Sequence, residues 1–209
     1  MTKKVVLLSG WAGSGKDTCG AILTEKKGYK RFAFADTLKQ TIASPLTGIP
    51  LQDFYDRDKK EAKIEIMRVD RGGANEALFL ALFPLLETHW ARVDGEYYWT
   101  PRALAVLAGI IGRGVDTNYW VKKTVGAIKK DDCERVVITD VRFENEINEI
   151  KKAFSNCEVV VVRVNRFKEN KYSDPSERSL DNYPHFDLVI QNDKSVFDLE
   201  KTLCDFLKE

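Results

Sequence analysis

The chain has 209 residues, of which 33 are lysine or arginine and 32 are aspartate or glutamate. A chain of this length forms one domain, with room for an inserted lobe, and buries roughly 70% of its unfolded surface. The near-neutral charge argues against a nucleic-acid-dependent ATPase, because binding of a phosphate backbone needs an excess of basic residues. We therefore expect small-molecule partners and no nucleic acid.

The cysteines and histidines do not form a recognisable site. Four scattered cysteines lack a C-x-x-C pair, and the chain has two histidines. This distribution predicts neither a zinc site nor a disulfide framework. No apolar run approaches the ~18 residues that span a bilayer, and the N-terminal run is too short for a signal peptide. We expect a reduced, cytoplasmic protein without a membrane partner.

Apolar periodicity predicts strands that alternate with helices. The predicted strands are Lys4–Leu8, Arg31–Phe34, Arg135–Thr139, Glu158–Val164 and Leu188–Ile190. The predicted helices are Lys16–Lys26, Thr37–Thr47, Pro101–Ile111, Tyr119–Lys129, Glu144–Phe154 and Val196–Leu207. Strands separated by helices form parallel sheets with right-handed crossovers, so the expected fold is α/β, a three-layer αβα sandwich around a five-stranded parallel sheet.

Glycines and polar residues mark several predicted helix ends. Gly28 stops the first helix, Asp36 caps the second, and Thr100 caps the third, whose first residue is proline. Gly112 and Gly114 close that third helix. The stretch Gln52–Thr100 has no clear pattern apart from an apolar run, Ala77–Leu86, which fits a buried helix end or a partner surface.

The stretch S-G-W-A-G-S-G-K-D-T, residues 9–18, lies between the first strand and the first helix. Gly10, Gly15 and Lys16 match the spacing G-x-x-x-x-G-K of phosphate-binding loops. Backbone N–H groups of such a loop point inward, and the helix N-terminus favours an anion. The expected ATP-binding residues are Trp11, Ala12, Gly13, Ser14, Gly15, Lys16, Asp17 and Thr18, with Lys16 at the β- and γ-phosphates. The alternative is a glycine-rich turn without a ligand.

Asp17 stands where the general motif has serine or threonine. A carboxylate beside phosphate is unfavourable unless a hard cation lies between them. We therefore expect Mg²⁺ as cofactor, with Asp17, Thr18 and, after the third strand, Asp140 as metal-binding residues. Asp140 is placed like the acidic residue that follows a strand in many ATP-binding sites.

Ligands of parallel sheets bind beyond the carboxyl ends of the strands. The second strand is followed by Asp36 and Lys39, which fit a second substrate or, equally, a helix cap and a solvated lysine. Arg142 follows Asp140 and offers a planar fork for phosphate, although the two would also form a structural ion pair.

The last two strands and one central helix supply further candidates. Arg163 fits a satisfied edge residue, whereas Arg166 and Arg178 suit a lid over the triphosphate, with ordinary surface arginines as the alternative. Asn192 follows the last strand, where a purine ring or a plain turn fits. Additional candidates for nucleotide binding are Arg102, Arg113 and Trp120, with core packing as the alternative for the tryptophan.

Six segments, taken in order, resemble the deoxynucleoside monophosphate kinases of bacteriophages and large DNA viruses, a branch of the P-loop kinases. They are G-S-G-K-D-T (13–18), F-A-D-T-L-K (34–39), W-T-P-R (99–102), N-Y-W-V (118–121), D-V-R-F-E-N-E (140–146) and P-S-E-R (175–178). Asp17 fits this branch, which uses G-K-D-T. The chain departs from the family pattern at two places that concern base specificity. Val106 stands where the family tends to have glutamine, and the turn before Arg113 is one residue shorter than in the family. The segment Gln52–Tyr98 has no match.

The resemblance implies transfer of the γ-phosphoryl of ATP to a deoxynucleoside 5′-monophosphate, for deoxynucleotide supply in the cytoplasm, that of the host if the source is a virus. It implies Lys16, Arg142 and Arg166 as catalytic residues. The implied substrate-binding residues are Asp36, Lys39, Arg102, Arg113, Trp120, Asp140, Arg142 and Asn145. The implied domain is a single P-loop kinase domain with a core at 1–50 and 130–209, a helical substrate-binding insertion at 51–129 and a lid at 165–184.

Two other functions stay open. Another small-molecule kinase, of the phosphomevalonate type, would use the same loop, and so would a non-catalytic ATP-binding sensor or scaffold protein. Cationic side chains after successive strands favour an enzyme, because binding ATP alone does not require them. The sequence leaves open whether the protein is a homodimer.

Overall fold

The computed structural model of the chain describes residues 2–43, 48–64, 68–69, 91–93, 96–166 and 175–209. The chain forms two compact units. The first comprises Met1–Ala35 and Asn118–Glu209, and the second comprises Asp36–Thr117. The first unit contains the glycine loop, by which we mean Gly10–Gly15, and the main sheet.

Strands and helices alternate along most of the described chain. The strands are β1 (Lys4–Ser9), β2 (Lys30–Phe32), β3 (Arg68–Val69), β4 (Ala91–Val93), β5 (Glu96–Tyr98), β6 (Arg135–Val141), β7 (Glu158–Asn165) and β8 (Leu188–Gln191). The helices are α1 (Lys16–Lys27), α2 (Phe34–Ile42), α3 (Pro101–Val115), α4 (Tyr119–Asp131), α5 (Glu144–Ala153) and α6 (Val196–Leu207). Short 3₁₀ turns lie at Leu51–Phe54, Lys59–Glu61 and Pro175–Glu177.

The main sheet has five parallel strands in the order β2-β6-β1-β7-β8. The strand β1 lies in the middle, where Val5 pairs with Val136 of β6 on one side and Val159 of β7 on the other. The predicted α/β class and its five-stranded parallel sheet are confirmed. Because β1 is central, the loop that follows it emerges between the loops after β6 and β7.

Both faces of the sheet are covered, which makes three layers. Val5 and Leu7 face the side that carries α4 and α5, whereas Val6 and Leu8 face α1 and α6. All four side chains are fully buried. A strand buried on both faces is apolar at every position, which explains the uninterrupted run V-V-L-L.

Two helices differ most from the sequence predictions. The helix α2 begins at Phe34 and ends at Ile42 rather than at Thr47, so Phe34 is not in a strand and Asp36 lies in the first turn rather than at the cap. The helix α3 begins after Thr100, whose hydroxyl accepts from the N–H of Ala103, as predicted, but it continues through Gly112 and Gly114 to Val115. Glycine weakens a helix by about 1 kcal/mol without forcing it to end, and the closing contact joins the N–H of Asp116 to the Gly112 carbonyl.

The second unit contains a feature that the sequence patterns did not predict. The strands β3, β5 and β4 form an antiparallel sheet, in that order, within the segment expected to be helical. Strands of two or three residues are too short to show a period of two. The apolar run Ala77–Leu86 lies outside the described residues. In the described part of the chain, no helix has the length and apolarity needed to cross a membrane.

The contact between α1 and β6 gives a stability prediction. A Cβ added to Gly20 would lie 2.6 Å from the Cγ2 methyl of buried Thr139. We expect Gly20→Ala to lower the free energy of unfolding by about 1–3 kcal/mol through overpacking, measured by urea denaturation. Gly126→Ala is the control, because Gly126 lies inside α4 and no described residue outside the backbone of that helix lies within 4 Å of the added Cβ. That change should stabilise the protein by up to about 1 kcal/mol. Equal effects of the two substitutions would contradict this account.

Candidate functional site

The glycine loop has no room for a side chain at Gly10 and Gly15. A Cβ at Gly10 would lie 2.4 Å from the carbonyl oxygen of Val164, and a Cβ at Gly15 would lie 2.2 Å from Nδ2 of Asn192. Gly13 and Gly15 also have positive φ angles of 74° and 105°, which L side chains rarely adopt. The two outer glycines therefore permit close packing of the loop on β7 and on the segment after β8.

Hydrogen bonds hold the loop in one conformation. The N–H of Ser14 donates to the carbonyl of Trp11 at 3.0 Å, and Nδ2 of Asn192 donates to the carbonyl of Ser14 at 2.8 Å. Asn192 thus braces the loop by filling the space that a side chain at Gly15 would need. Its predicted contact with a purine stays a prediction.

Lys16, Asp17 and Thr18 form the first turn of α1, directly after the loop. Nζ of Lys16 donates to the carbonyl of Trp11 at 3.2 Å, so the side chain folds back over the loop. Asp17 is exposed and Thr18 is half-buried. The loop, the lysine and the open N-terminus of α1 lie together, as a phosphate-binding site requires.

Asp140 lies in β6, the strand next to β1, and caps the N-terminus of α2. Its two carboxylate oxygens accept from the N–H groups of Phe34 and Ala35, each at 2.9 Å. The cap for α2 is therefore Asp140 and not Asp36, and the carboxylate takes two of the N–H groups that a helix start leaves unpaired. The predicted metal-binding role of Asp140 would be additional to this structural one.

Metal binding by protein side chains alone is not indicated in the described residues, where no group of three or more histidine, cysteine, aspartate or glutamate side chains is placed to hold an ion. Mg²⁺ in nucleotide enzymes commonly takes one or two protein ligands and completes its shell with phosphate and water. The oxygen atoms of Asp17 and Thr18, beside the glycine loop, fit that mode of binding.

The segment Ser176–Asp181 contacts the glycine loop, and its acidic residues were not among the sequence candidates. The carboxylate of Glu177 accepts from the N–H of Ala12 at 2.8 Å and pairs with Nη2 of Arg142 at 2.7 Å. The same segment holds Trp11, whose indole N–H donates to Oδ1 of Asp181 at 2.7 Å. Both acidic residues lie far along the sequence from the loop, so no local pattern indicated their role.

Arg163 is a buried cation next to the loop. It belongs to β7, an interior strand, so the interpretation as an edge residue is wrong. Its guanidinium donates to Asp181 at 2.5 Å, to Ser9 at 3.1 Å and to the side chain of Asn165 at 3.1 Å. These contacts compensate the burial of its charge, and they fix the carboxylate that receives Trp11.

The other candidates of the first unit differ in exposure. Arg166 and Arg178 are exposed, and Nε of Arg178 lies 3.5 Å from Oδ2 of Asp181. Nδ2 of Asn145 donates to the side chain of Asn118 at 2.8 Å. Trp120 is 7% exposed and packs edge-on against Tyr119, which fits the alternative of core packing rather than a stacking surface for a base.

Four substrate-binding candidates belong to the second unit. Asp36 accepts from the hydroxyl of Tyr55 at 3.0 Å, and Nζ of Lys39 lies 4.2 Å above the ring of the same tyrosine. Tyr55 thus connects two predicted residues, a link that their spacing could not indicate. Arg102 pairs with Glu61. Arg113 is exposed, and its guanidinium packs next to Gly109, 3.5 Å from where a Cβ on that glycine would lie.

Glu146 caps α5 and contacts the backbone that follows β6. Its carboxylate accepts from the N–H groups of Arg142 at 2.7 Å and Phe143 at 3.0 Å. Burial raises its pKa from 4.5 to about 7; the negative charge of Asp140 acts in the same direction, whereas the two N–H donors and Arg142 oppose the rise. The folded protein therefore binds a proton at Glu146 more tightly than the unfolded chain does.

The raised pKa makes the contribution of Glu146 to stability depend on pH. Below pH 4.5 both states carry the proton. As the pH rises to about 7, the unfolded chain releases it first, so the contribution falls. We expect the free energy of unfolding of the wild type, minus that of Glu146→Gln, to decrease between these pH values and then level off. The decrease is about 1.4 kcal/mol for each unit between the folded and unfolded pKa values. Urea denaturation across this range measures it, and a difference that does not change with pH would contradict the assignment.

Comparisons with known proteins give no family assignment. No family model and no curated protein matches the chain. Among solved structures, Mycobacterium tuberculosis APS kinase CysC in complex with AMPPNP and APS aligns at 12% identity and a TM-score of 0.46, covering 100% of this chain and 99% of that one. Shikimate kinase from Aquifex aeolicus aligns at 13% identity and a TM-score of 0.46, covering 98% and 96%. Similarity at this level is no basis for inferring function.

Proposed function

We propose that this protein is an ATP- and Mg²⁺-dependent kinase that transfers the γ-phosphoryl group of ATP to the 5′-phosphate of a deoxynucleoside monophosphate. The observation that carries the proposal is the glycine loop at the end of the central strand, with Lys16 folded over it and the N-terminus of α1 behind it. The acceptor is assigned from the resemblance of the motif segments to viral and phage kinases.

The loop backbone and Lys16 bind the β- and γ-phosphates. Backbone N–H groups of the loop and of the first turn of α1 supply donors, and the helix dipole favours the anion. Nζ of Lys16 rests on the carbonyl of Trp11 at 3.2 Å, a single contact that a phosphate oxygen readily replaces. The buried hydroxyl of Ser14 has no hydrogen-bond partner within the described part of the chain, so it adds one more donor in the loop.

Arg142 binds the acceptor phosphate and stabilises the negative charge that develops on the transferred group. It follows β6, the neighbour of β1, and its side chain is 39% exposed, so a ligand can reach the guanidinium. A planar guanidinium binds phosphate through two parallel hydrogen bonds. Arg166 and Arg178, both exposed, complete the neutralisation of the triphosphate in this proposal, and Asp36, Lys39, Arg102, Arg113 and Asn145 remain the proposed contacts to the acceptor.

The transfer itself is positioning and charge neutralisation, without a covalent enzyme intermediate. Mg²⁺ would supply positive charge that offsets the negative charge of the phosphates. Asp17 and Thr18 would hold it from the first turn of α1, and Asp140 would contribute from the end of β6. The cation and the carboxylate of Asp17 offset each other electrostatically, because a carboxylate beside phosphate is favourable only with a cation present.

An acceptor panel tests the proposed activity. ADP release from ATP and Mg²⁺ is coupled to a spectroscopic readout, with dAMP, dGMP, dCMP, dTMP, the matching ribonucleotides and phosphomevalonate as acceptors. We expect strong acceptor-dependent turnover with at least one deoxynucleoside monophosphate. Turnover with phosphomevalonate alone would move the assignment to that kinase class, and ATP binding without any acceptor-dependent turnover would favour a sensor or scaffold protein.

Replacement of Lys16 tests the role of the loop. We expect Lys16→Ala to lower kcat at least about 100-fold, since it removes a cation aimed at the charge that develops during transfer. Its thermal midpoint should stay close to that of the wild type, because within the described residues the side chain makes one hydrogen bond, of 3.2 Å. Lys130→Ala is the matched control, as Lys130 is exposed near the end of α4. Near-normal turnover of the Lys16 variant would overturn the assignment.

A further inference from the structure

The segment Ser176–Asp181 connects the glycine loop with Arg142. Glu177 provides the connection, because one carboxylate oxygen accepts from the Ala12 N–H at 2.8 Å and the other lies 2.7 Å from Nη2 of Arg142. One rigid planar group therefore contacts both the loop backbone and the arginine that follows β6. The separation of these two elements depends on the length of the Glu177 side chain.

Arg142 has two further contacts with the same segment. Its Nη1 donates to the hydroxyl of Ser176 at 2.7 Å, and the hydroxyl of Ser179 donates to its backbone carbonyl. Nη1 and Nη2 of Arg142 thus contact Ser176 and Glu177, which are adjacent residues of the 3₁₀ turn Pro175–Glu177. Because the guanidinium is planar, the contacts of these two nitrogens fix the orientation of the whole group.

Glu177 is buried while Arg142 is accessible. The side chain of Glu177 is 7% exposed and that of Arg142 is 39% exposed. A buried carboxylate requires partners such as these, because an unpaired buried charge is costly. The burial keeps water from competing for the carboxylate, whereas the accessible side of the arginine can receive a phosphate.

We propose that Glu177 is a positioning residue, which sets the orientation of the Arg142 guanidinium relative to the glycine loop so that the acceptor phosphate and the ATP phosphates are aligned for transfer. This inference rests on the proposed kinase function. It assigns Glu177 no contact with substrate, since its two oxygens are used by Ala12 and Arg142.

Simple electrostatics predicts the opposite effect of removing the charge. Phosphates repel a nearby carboxylate, so Glu177→Gln should strengthen phosphate binding if charge alone matters. A loss of activity in this variant, if its thermal midpoint stays near that of the wild type, then comes from changed geometry and not from charge. Each variant breaks one of the two contacts in a different way. Glu177→Gln keeps the side-chain length but has one acceptor oxygen for the two donors, whereas Glu177→Asp keeps both oxygens and the charge but shortens the reach.

The test compares steady-state kinetics of both variants with those of the wild type and of the control Glu25→Gln, an exposed residue of α1. We expect both Glu177 variants to lose on the order of 100-fold in kcat/KM for the acceptor, as small misplacements of positioning groups do, while the Kd of a non-hydrolysable ATP analogue changes less than threefold. Unchanged or higher kcat/KM in Glu177→Gln, or full activity in Glu177→Asp, overturns the proposal.

A double-mutant cycle tests whether Glu177 acts through Arg142. In an Arg142→Ala background, Glu177→Gln should cause little further loss in kcat/KM, because the group that it positions is already absent. Multiplication of the two single losses would assign Glu177 an independent role and overturn the proposal.

Failure of the proposed kinase function is distinguishable from failure of this inference. Absence of acceptor-dependent turnover in the wild type refutes the kinase proposal alone. Hydrogen–deuterium exchange without nucleotide then tests the contact to the loop, where Glu177→Asp should speed exchange of a peptide covering Trp11–Ser14 several-fold. An exchange rate equal to that of the wild type would overturn the positioning role, and Glu25→Gln should leave the rate unchanged.

Discussion

The site depends on one constraint, the burial of β1 in the centre of the parallel sheet. With β6 and β7 on its two sides, β1 can deliver its following loop only at the middle of the carboxyl edge, between Asp140 and Arg163 of the neighbouring strands. The loop must then turn sharply beside β7, which the missing side chain of Gly10 permits. The hydrophobic burial of β1 thus determines where the polar groups of the loop lie.

Around this position, charged groups form two chains of contacts that meet at the loop. One runs from Arg163 through Asp181 to Trp11, and the other from Arg142 through Glu177 to the backbone of Ala12. In each chain the carboxylate lies between a cation and a neutral N–H donor, so its burial is compensated. The cations lie on strands of the sheet or directly after them, whereas the anions come from the segment before β8.

The sequence predicts those parts of the structure that depend on neighbouring residues. The run V-V-L-L, the glycine spacing and the cap at Thr100 each carry their signal within a few positions, and the structure confirms the sheet and the start of α3. Contacts between distant residues leave no such signal. The start of α2 is not predictable locally because its cap, Asp140, lies 106 residues away from Phe34. Glu177 belongs to the P-S-E-R segment, but no role for it is predictable because Ala12 lies 165 residues from it.

The capping of α2 by Asp140 has a consequence for the order of folding. A helix with a local cap can form its first turn while the rest of the chain is still unfolded, but α2 obtains the acceptors for its first N–H groups only when β6 has arrived. Closing a loop of that length carries an entropy cost that the sheet must first offset. We therefore expect the start of α2 to form late in folding, together with completion of the sheet on the β2–β6 side.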